Sequence, residues 1–191
     1  MKKYLISSLL AACLIFSWCD SSNGQEAFNA NDILGPGTFY MHTPIFSYGI
    51  RNMSGGDQTS YISFGPSLGI FLAKYFSLGA GINLNYSKNE QGGDSYSSTT
   101  FLINGSLGAD YPIASRAIFV VNGSFGYYGV SNGGSYSGPQ LGVGGGLEYF
   151  VTPSIALGPV FTYTHLFADR SMSTYSIGLD LTLFFHGPKL Y

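Results

Sequence analysis

Long apolar runs are almost absent from this 191-residue chain. Apart from residues 4–18, no segment approaches the roughly 20 consecutive apolar residues that a membrane-spanning helix needs, which excludes a helical membrane protein. Charge is scarce as well: Asp, Glu, Lys and Arg make up 9% of residues, against about 25% in ordinary soluble domains. The hydrophobic share is an ordinary 45%. Something other than charge must therefore keep the folded chain dispersed, and a lipid environment is the simplest candidate. A formal net charge of −2 leaves no basic footprint for nucleic acid. Histidine is limited to His42, His165 and His186, and no Cys/His cluster has metal-ligand spacing.

Cysteine occurs only as Cys13 and Cys19. Both fall in a leader, Met1-Lys2-Lys3 followed by an apolar stretch over residues 4–18, which has the form of a secretory signal. The mature chain is then expected to carry no disulfide. Cleavage is expected after Cys19 or near Gly24, so residues 1–24 are read as signal peptide and 25–36, polar and Gly/Asn-rich, as a flexible periplasmic lead-in. A cut after Cys19 removes Lys2 and Lys3 and leaves six basic and ten acidic residues, a net of −4. Leu10-Ala11-Ala12-Cys13 resembles a lipoprotein cleavage box, but Leu14-Ile15-Phe16 keep Cys13 inside the apolar run, and the bulky Trp18 precedes Cys19.

What is abundant is glycine (27), tyrosine (15) and phenylalanine (15), arranged in a repeated unit from Gly37 onward. Eight alternating segments follow one another, approximately 37–50, 59–72, 75–88, 96–111, 116–130, 137–150, 154–167 and 173–186. Each exceeds the 9–11 residues a tilted strand needs to cross a bilayer. The last is the cleanest: Tyr175, Ile177, Leu179, Leu181, Leu183 and Phe185 share one parity, while Ser176, Gly178, Asp180, Thr182 and Phe184 share the other. The third sets Phe76, Leu78, Ile82 and Leu84 against Ser77, Gly79, Gly81 and Asn83. In the first segment Phe39-Met41 and Tyr40-Phe46-Tyr48 compete, and the faces stay open.

Alternation alone does not say which face is outside. A soluble lipocalin-like barrel would need long charged side chains outside and an apolar ligand cavity within. Here the polar face is Gly, Ser, Thr and Asn, which suits a crowded narrow interior, so the apolar face is read as facing lipid. The connectors 73–74, 112–115 and 151–153 are tight, whereas 51–58, 89–95, 131–136 and 168–172 are longer and polar. Short turns alternating with longer loops are the asymmetry of outer-membrane barrels, and an even strand number returns both termini to the periplasm. Aromatics gather at strand ends: Phe71, Tyr75, Phe76, Tyr111, Phe119, Tyr149, Phe150, Phe184 and Phe185 toward the turns, and Tyr48, Tyr61, Tyr86, Tyr96, Tyr127, Tyr128, Tyr163, Phe167 and Tyr175 toward the loops. They are read as two interfacial girdles.

With these residues in view, the chain resembles the small eight-stranded outer-membrane barrel family, the OmpA/OmpX-like group, over residues 37–186. The sharpest local likeness is the last strand, where Ser176, Gly178, Leu181, Leu183 and Phe185 look like the family's C-terminal assembly signal. The resemblance implies recognition by the barrel-insertion machinery, outer-membrane lipid as surroundings, and a monomer. One departure is the tail 187–191, preceded by His186, which runs past the terminal aromatic. Some proteins of this architecture act on lipid A, and a deacylase of that kind needs a Ser–His pair with an acid, typically as His-x-Ser. Neither His42-Thr43-Pro44 nor His165-Leu166-Phe167 supplies it, and an outer-membrane protease of ten strands is excluded by length and strand number.

Gly142-Val143-Gly144-Gly145-Gly146 misses the G-x-G-x-x-G spacing and is read as relief of crowding within a strand. Four charged residues remain on or beside polar faces: Asp110, Arg116, Glu148 and Asp180. A charge in a narrow lumen must be paired or wet: one arrangement pairs Arg116 with Asp110 or Glu148 to plug the lumen near the periplasm, and the other leaves all four in contact with lumen water. The expectation is an all-β, eight-stranded up-and-down barrel in a bacterial outer membrane, without catalytic residues, cofactor or metal. A structural or surface-interaction role leads, a small pore follows, and a soluble ligand-binding barrel is a distant third.

Overall fold

The alternating segments become long antiparallel strands because β-branched and aromatic side chains on one face, and glycine or short hydroxyls on the other, suit a pleated sheet of two unlike faces. The computed structural model describes residues 29–53, 58–91, 94–130, 137–168 and 171–185. The strands are β1 (Phe39–Met53), β2 (Gln58–Phe64), β3 (Ser67–Ala73), β4 (Phe76–Gln91), β5 (Asp94–Ala114), β6 (Ala117–Val130), β7 (Gly138–Thr152), β8 (Ile155–Leu166) and β9 (Met172–Phe185). All pairings are antiparallel, and β1 closes on β9 from Phe39↔Phe185 to Met53↔Met172.

Nine strands make an eight-legged barrel because β2 and β3 form one leg. Both lie between β1 and β4, and their register with β4 runs on unbroken from Phe64↔Leu84 to Ser67↔Gly81. The gap between them is Gly65-Pro66, where Pro66 has no N–H to give the ladder.

A β-bulge resolves the faces of β1. Its register with β9 shifts between Pro44↔Asp180 and Phe46↔Leu179, leaving Ile45 as the extra residue. Ile45 and Phe46 both point outward, 57% and 55% exposed. Below the bulge Phe39 faces out, and above it Phe46 and Tyr48 do, while Tyr40, His42, Ser47 and Arg51 line the interior. The two competing apolar sets are both outward, except Tyr40.

Large apolar side chains coat the outside, among them Leu68, Phe76, Ile103, Leu107, Phe125 and Val143, each at least 60% exposed. A water-soluble protein does not expose a continuous apolar belt, so this one faces lipid. Glycine makes the interior fit. A Cβ on Gly158 would stand 2.7 Å from the backbone Cα of Glu148, and one on Gly49 would overlap the Tyr61 ring lying across it.

The short connectors are two-residue turns at Lys74-Tyr75, Ser115-Arg116 and Pro153-Ser154. Tyr75 is the one non-glycine residue with positive φ among the described residues, at 71°. Two connectors expected to be longer loops are shorter: β4 and β5 stay paired up to Gln91↔Asp94, and β1 and β2 up to Asn52↔Gln58. Polar residues can extend a hairpin beyond the bilayer as readily as they make a loop, so composition did not separate the two.

The lead-in also differs from the flexible segment expected over 25–36. Residues 1–28 and 186–191, including the leader and the tail, lie outside the described residues. From Asn29 the chain makes a 3-10 turn (Ala30–Asp32) capped by Asn29, whose side chain accepts the Asn31 N–H at 3.0 Å. Ala30 N–H bonds the Ser115 carbonyl at 2.8 Å, and the Leu34 carbonyl accepts Tyr75 N–H at 3.1 Å. The Tyr75 hydroxyl donates to Asn31 Oδ1 at 2.5 Å. So fastened to two turns, Ala30, Ile33 and Leu34 pack into the mouth against Phe71, Ile118, Phe150, Ala156 and Phe184. Burial of each large side chain contributes about 1.5–3 kcal/mol. One apolar turn in a polar stretch is too short to show as periodicity.

Phe71, Phe150 and Phe184 thus belong to the interior rather than to a girdle, whereas Phe76, Tyr111, Phe119 and Phe185 do face outward at that end. Gly158→Ala should lower the stability of the folded barrel by about 1–3 kcal/mol through overpacking, read as an earlier urea midpoint for loss of the fast-migrating folded band on gels. Gly123→Ala, with nothing within 4 Å of its Cβ position, should leave the midpoint where it is. Equal midpoints for the two variants would contradict this packing.

Candidate functional site: a layered lumen

The inward residues stack in four layers from the turn end upward. The apolar plug, with Ile118, Phe150 and Phe184 on β6, β7 and β9, closes the bottom. Above it comes a charged layer. His42 on β1 places Nε2 2.8 Å from Asp180 Oδ2 and Nδ1 3.7 Å from Glu148 Oε1. The Thr182 hydroxyl donates to Glu148 Oε1 at 3.0 Å and lies 3.0 Å from His42 Nδ1. Each donor meets an acceptor when the imidazole carries both protons: Nε2–H to Asp180, Nδ1–H to Thr182, and Thr182 O–H to Glu148. Asp110 on β5 is buried at the same cavity.

Of the four charged residues singled out from sequence, the lumen therefore gathers Asp110, Glu148 and Asp180. Arg116 sits at the tip of the β5–β6 turn, where its carbonyl accepts the Phe150 N–H at 2.8 Å. The Ile118–Phe150–Phe184 layer stands between that turn and the acids. The basic side chain found between Glu148 and Asp180 is His42, which alternation could not point inward because the bulge at Ile45 hid the parity of β1.

The third layer is small and polar, with Ser47, Asn83, Asn104, Asn122 and Ser124 lining the middle of a cavity of about 230 Å³ that also reaches the charged layer and Arg51. Thr162 and Ser176 hydrogen-bond across the β8–β9 pair in its wall. The fourth layer crosses the lumen near the loop end. Arg51 on β1 has its guanidinium 5.1 Å from the centre of the Tyr61 ring and 5.5 Å from that of Tyr128. Tyr128 comes from β6, on the opposite wall, and packs with Leu166 and Met172. Tyr61 and Tyr128 were expected in the outer girdle, yet Tyr61 shares the parity of Ser63 and Gly65, and Tyr128 that of Ser124 and Gly126. That parity was the available signal.

The outer face carries one further pairing. His165 and Ser173 are register partners across β8–β9, with Nδ1 3.0 Å from Oγ, and Tyr163 Oη is 3.3 Å from the same hydroxyl. No carboxylate hydrogen-bonds either residue among the described residues. A scan for His-x-Ser misses this pair, because strand register rather than sequence spacing brings it together.

Residues 22–185 match the family model described as the outer membrane protein beta-barrel domain. No curated protein sequence matches the chain. Among solved structures, Neisserial surface protein A is similar at a TM-score of 0.64 and 19% identity, over 78% of this chain and 99% of that one. Outer membrane protein OprG of Pseudomonas aeruginosa gives 0.53 and 10%, over 82% and 100%. The N-terminal barrel domain of OprF of Pseudomonas aeruginosa gives 0.52 and 13%, over 79% and 99%. At these identities the likeness is one of fold, and it agrees with the eight-legged count reached from strand register. The chain belongs to the outer membrane protein beta-barrel domain family and is an eight-stranded β-barrel of the bacterial outer membrane.

Proposed function

We propose that this barrel has a structural or surface-interaction role without enzymatic activity, serving envelope integrity, adhesion or partner contact through its short external loops. The observation that carries this reading is the apolar plug: Ile33, Leu34, Phe71, Ile118, Phe150 and Phe184 are each at most 2% exposed across the turn end of the lumen. Water and ions do not cross a packed apolar layer, since stripping their hydration is costly. The closed β1–β9 seam leaves no edge for another chain to extend, which supports a monomer. On β9, Leu181, Leu183 and Phe185 face out while Ser176 and Gly178 face in, an arrangement compatible with reading by the insertion machinery.

A pore for water or ions is the second reading, favoured by the cavity of about 230 Å³ that runs along the lumen from the charged layer to Arg51. Planar-bilayer recordings separate the two. The mature protein should give no discrete conductance steps, and Ile33→Asp with Leu34→Asp should introduce them by wetting the plug; frequent steps from the unaltered protein would establish the pore instead.

The absence of catalysis has its own test. A triad needs a third group to orient the imidazole, and the His165–Ser173 pair has none among the described residues. Hydrolysis of short-chain acyl esters by the reconstituted protein should stay at the buffer rate and be unaltered in Ser173→Ala. A rate that depends on Ser173 would make the protein an esterase.

A further inference from the structure

Arg51 is only 4% exposed, yet it is held unlike the other buried charges of this lumen. His42 has carboxylates on both sides. The guanidinium of Arg51 has only aromatic faces, Tyr61 at 5.1 Å and Tyr128 at 5.5 Å. Each ring offers the cation its π face and no anionic acceptor for its N–H donors. Among the described residues no carboxylate pairs with it, and its Nε is fully buried without a hydrogen-bond partner. A cation taken out of bulk water is stabilised by a counter-charge, and cation–π contact supplies none.

A second unpartnered group lines the same cavity. Gln140 on β7 is 9% exposed, and its Oε1 is buried with no partner. Gln140 sits diagonal to Tyr128 across the β6–β7 pair, where Tyr128 is opposite Gly138 and Gly126 opposite Gln140. Arg51 and Gln140 line the same chamber. The amide can turn to present its NH₂. A guanidinium with no counter-ion and an amide with no partner, lining one cavity, match an oxygen anion that accepts two or three hydrogen bonds.

We infer that Arg51 and Gln140 form a binding site for a small soluble oxyanion, a carboxylate, phosphate or sulfate, at the loop end of the lumen. Tyr61 and Tyr128 hold the guanidinium by cation–π contact while its N–H groups take the ligand. The site needs no passage through the barrel, so it stands whether or not the lumen conducts.

Arginine Nε–H signals offer a direct readout, because the chain has only Arg51, Arg116 and Arg170. The mature barrel, refolded in uncharged detergent micelles with ¹⁵N-labelled arginine, is titrated with inorganic phosphate while chloride holds the ionic strength constant. The signal missing from Arg51→Lys should shift and saturate, the other two should stay nearly still, and Gln140→Leu should weaken the apparent affinity several-fold. If Arg51→Lys does not fold, Arg116→Lys and Arg170→Lys identify the Arg51 signal by elimination. An Arg51 signal that stays put, drifts without saturating, or moves together with the other two would overturn the site and leave Arg51 as a cation held by its two rings and chamber water.

Discussion

A backbone group inside a bilayer has no water to bond, so every strand must find two neighbours, and the β1–β9 seam is where this chain meets that demand. The seam is not regular. Ile45 is the extra residue in β1, and it reverses which residues of that strand face the lumen. His42 and Arg51 stand an odd number of positions apart and would face opposite sides of a regular strand. With the bulge between them, both face in. The placement of these two basic side chains thus depends on one backbone irregularity, beside Pro44 and next to the leg broken at Gly65-Pro66.

From that arrangement follows a lumen with polarity along its axis. An apolar floor lies at the turn end, then acids bridged by His42, then small hydroxyls, amides and glycines, then an arginine between tyrosines. Eight legs leave a bore that side chains nearly fill, so each layer works by what its side chains allow past them. Glycine is the means of fitting: Tyr61 lies flat because Gly49 has no side chain, and β8 comes close to Glu148 because residue 158 is glycine.

Much of the fold was legible beforehand. Period-two alternation located the strands, and the smallness of the polar residues oriented the wall. The tight turns fall where the short connectors predict them, at Lys74-Tyr75, Ser115-Arg116 and Pro153-Ser154. What stayed hidden had identifiable causes. The faces of β1 could not be read because a bulge leaves no compositional mark. The strand-end aromatics were assigned by position along the strand, although the parity of Tyr61 and Tyr128 already put them inside. Arg116 looked like a partner for the acids in one dimension, while register puts an apolar layer between. The His165–Ser173 pair needed register as well.

The plug around Ala30, Ile33 and Leu34 has a bearing on the order of events during folding. Its residues precede every strand in the chain, yet the pocket that receives them includes Phe71 of β3, Ile118 of β6, Phe150 of β7 and Phe184 of β9. That pocket exists only when the first and last strands have met. The docked segment is thus a mark of closure: its full pocket needs both ends of the strand order in place.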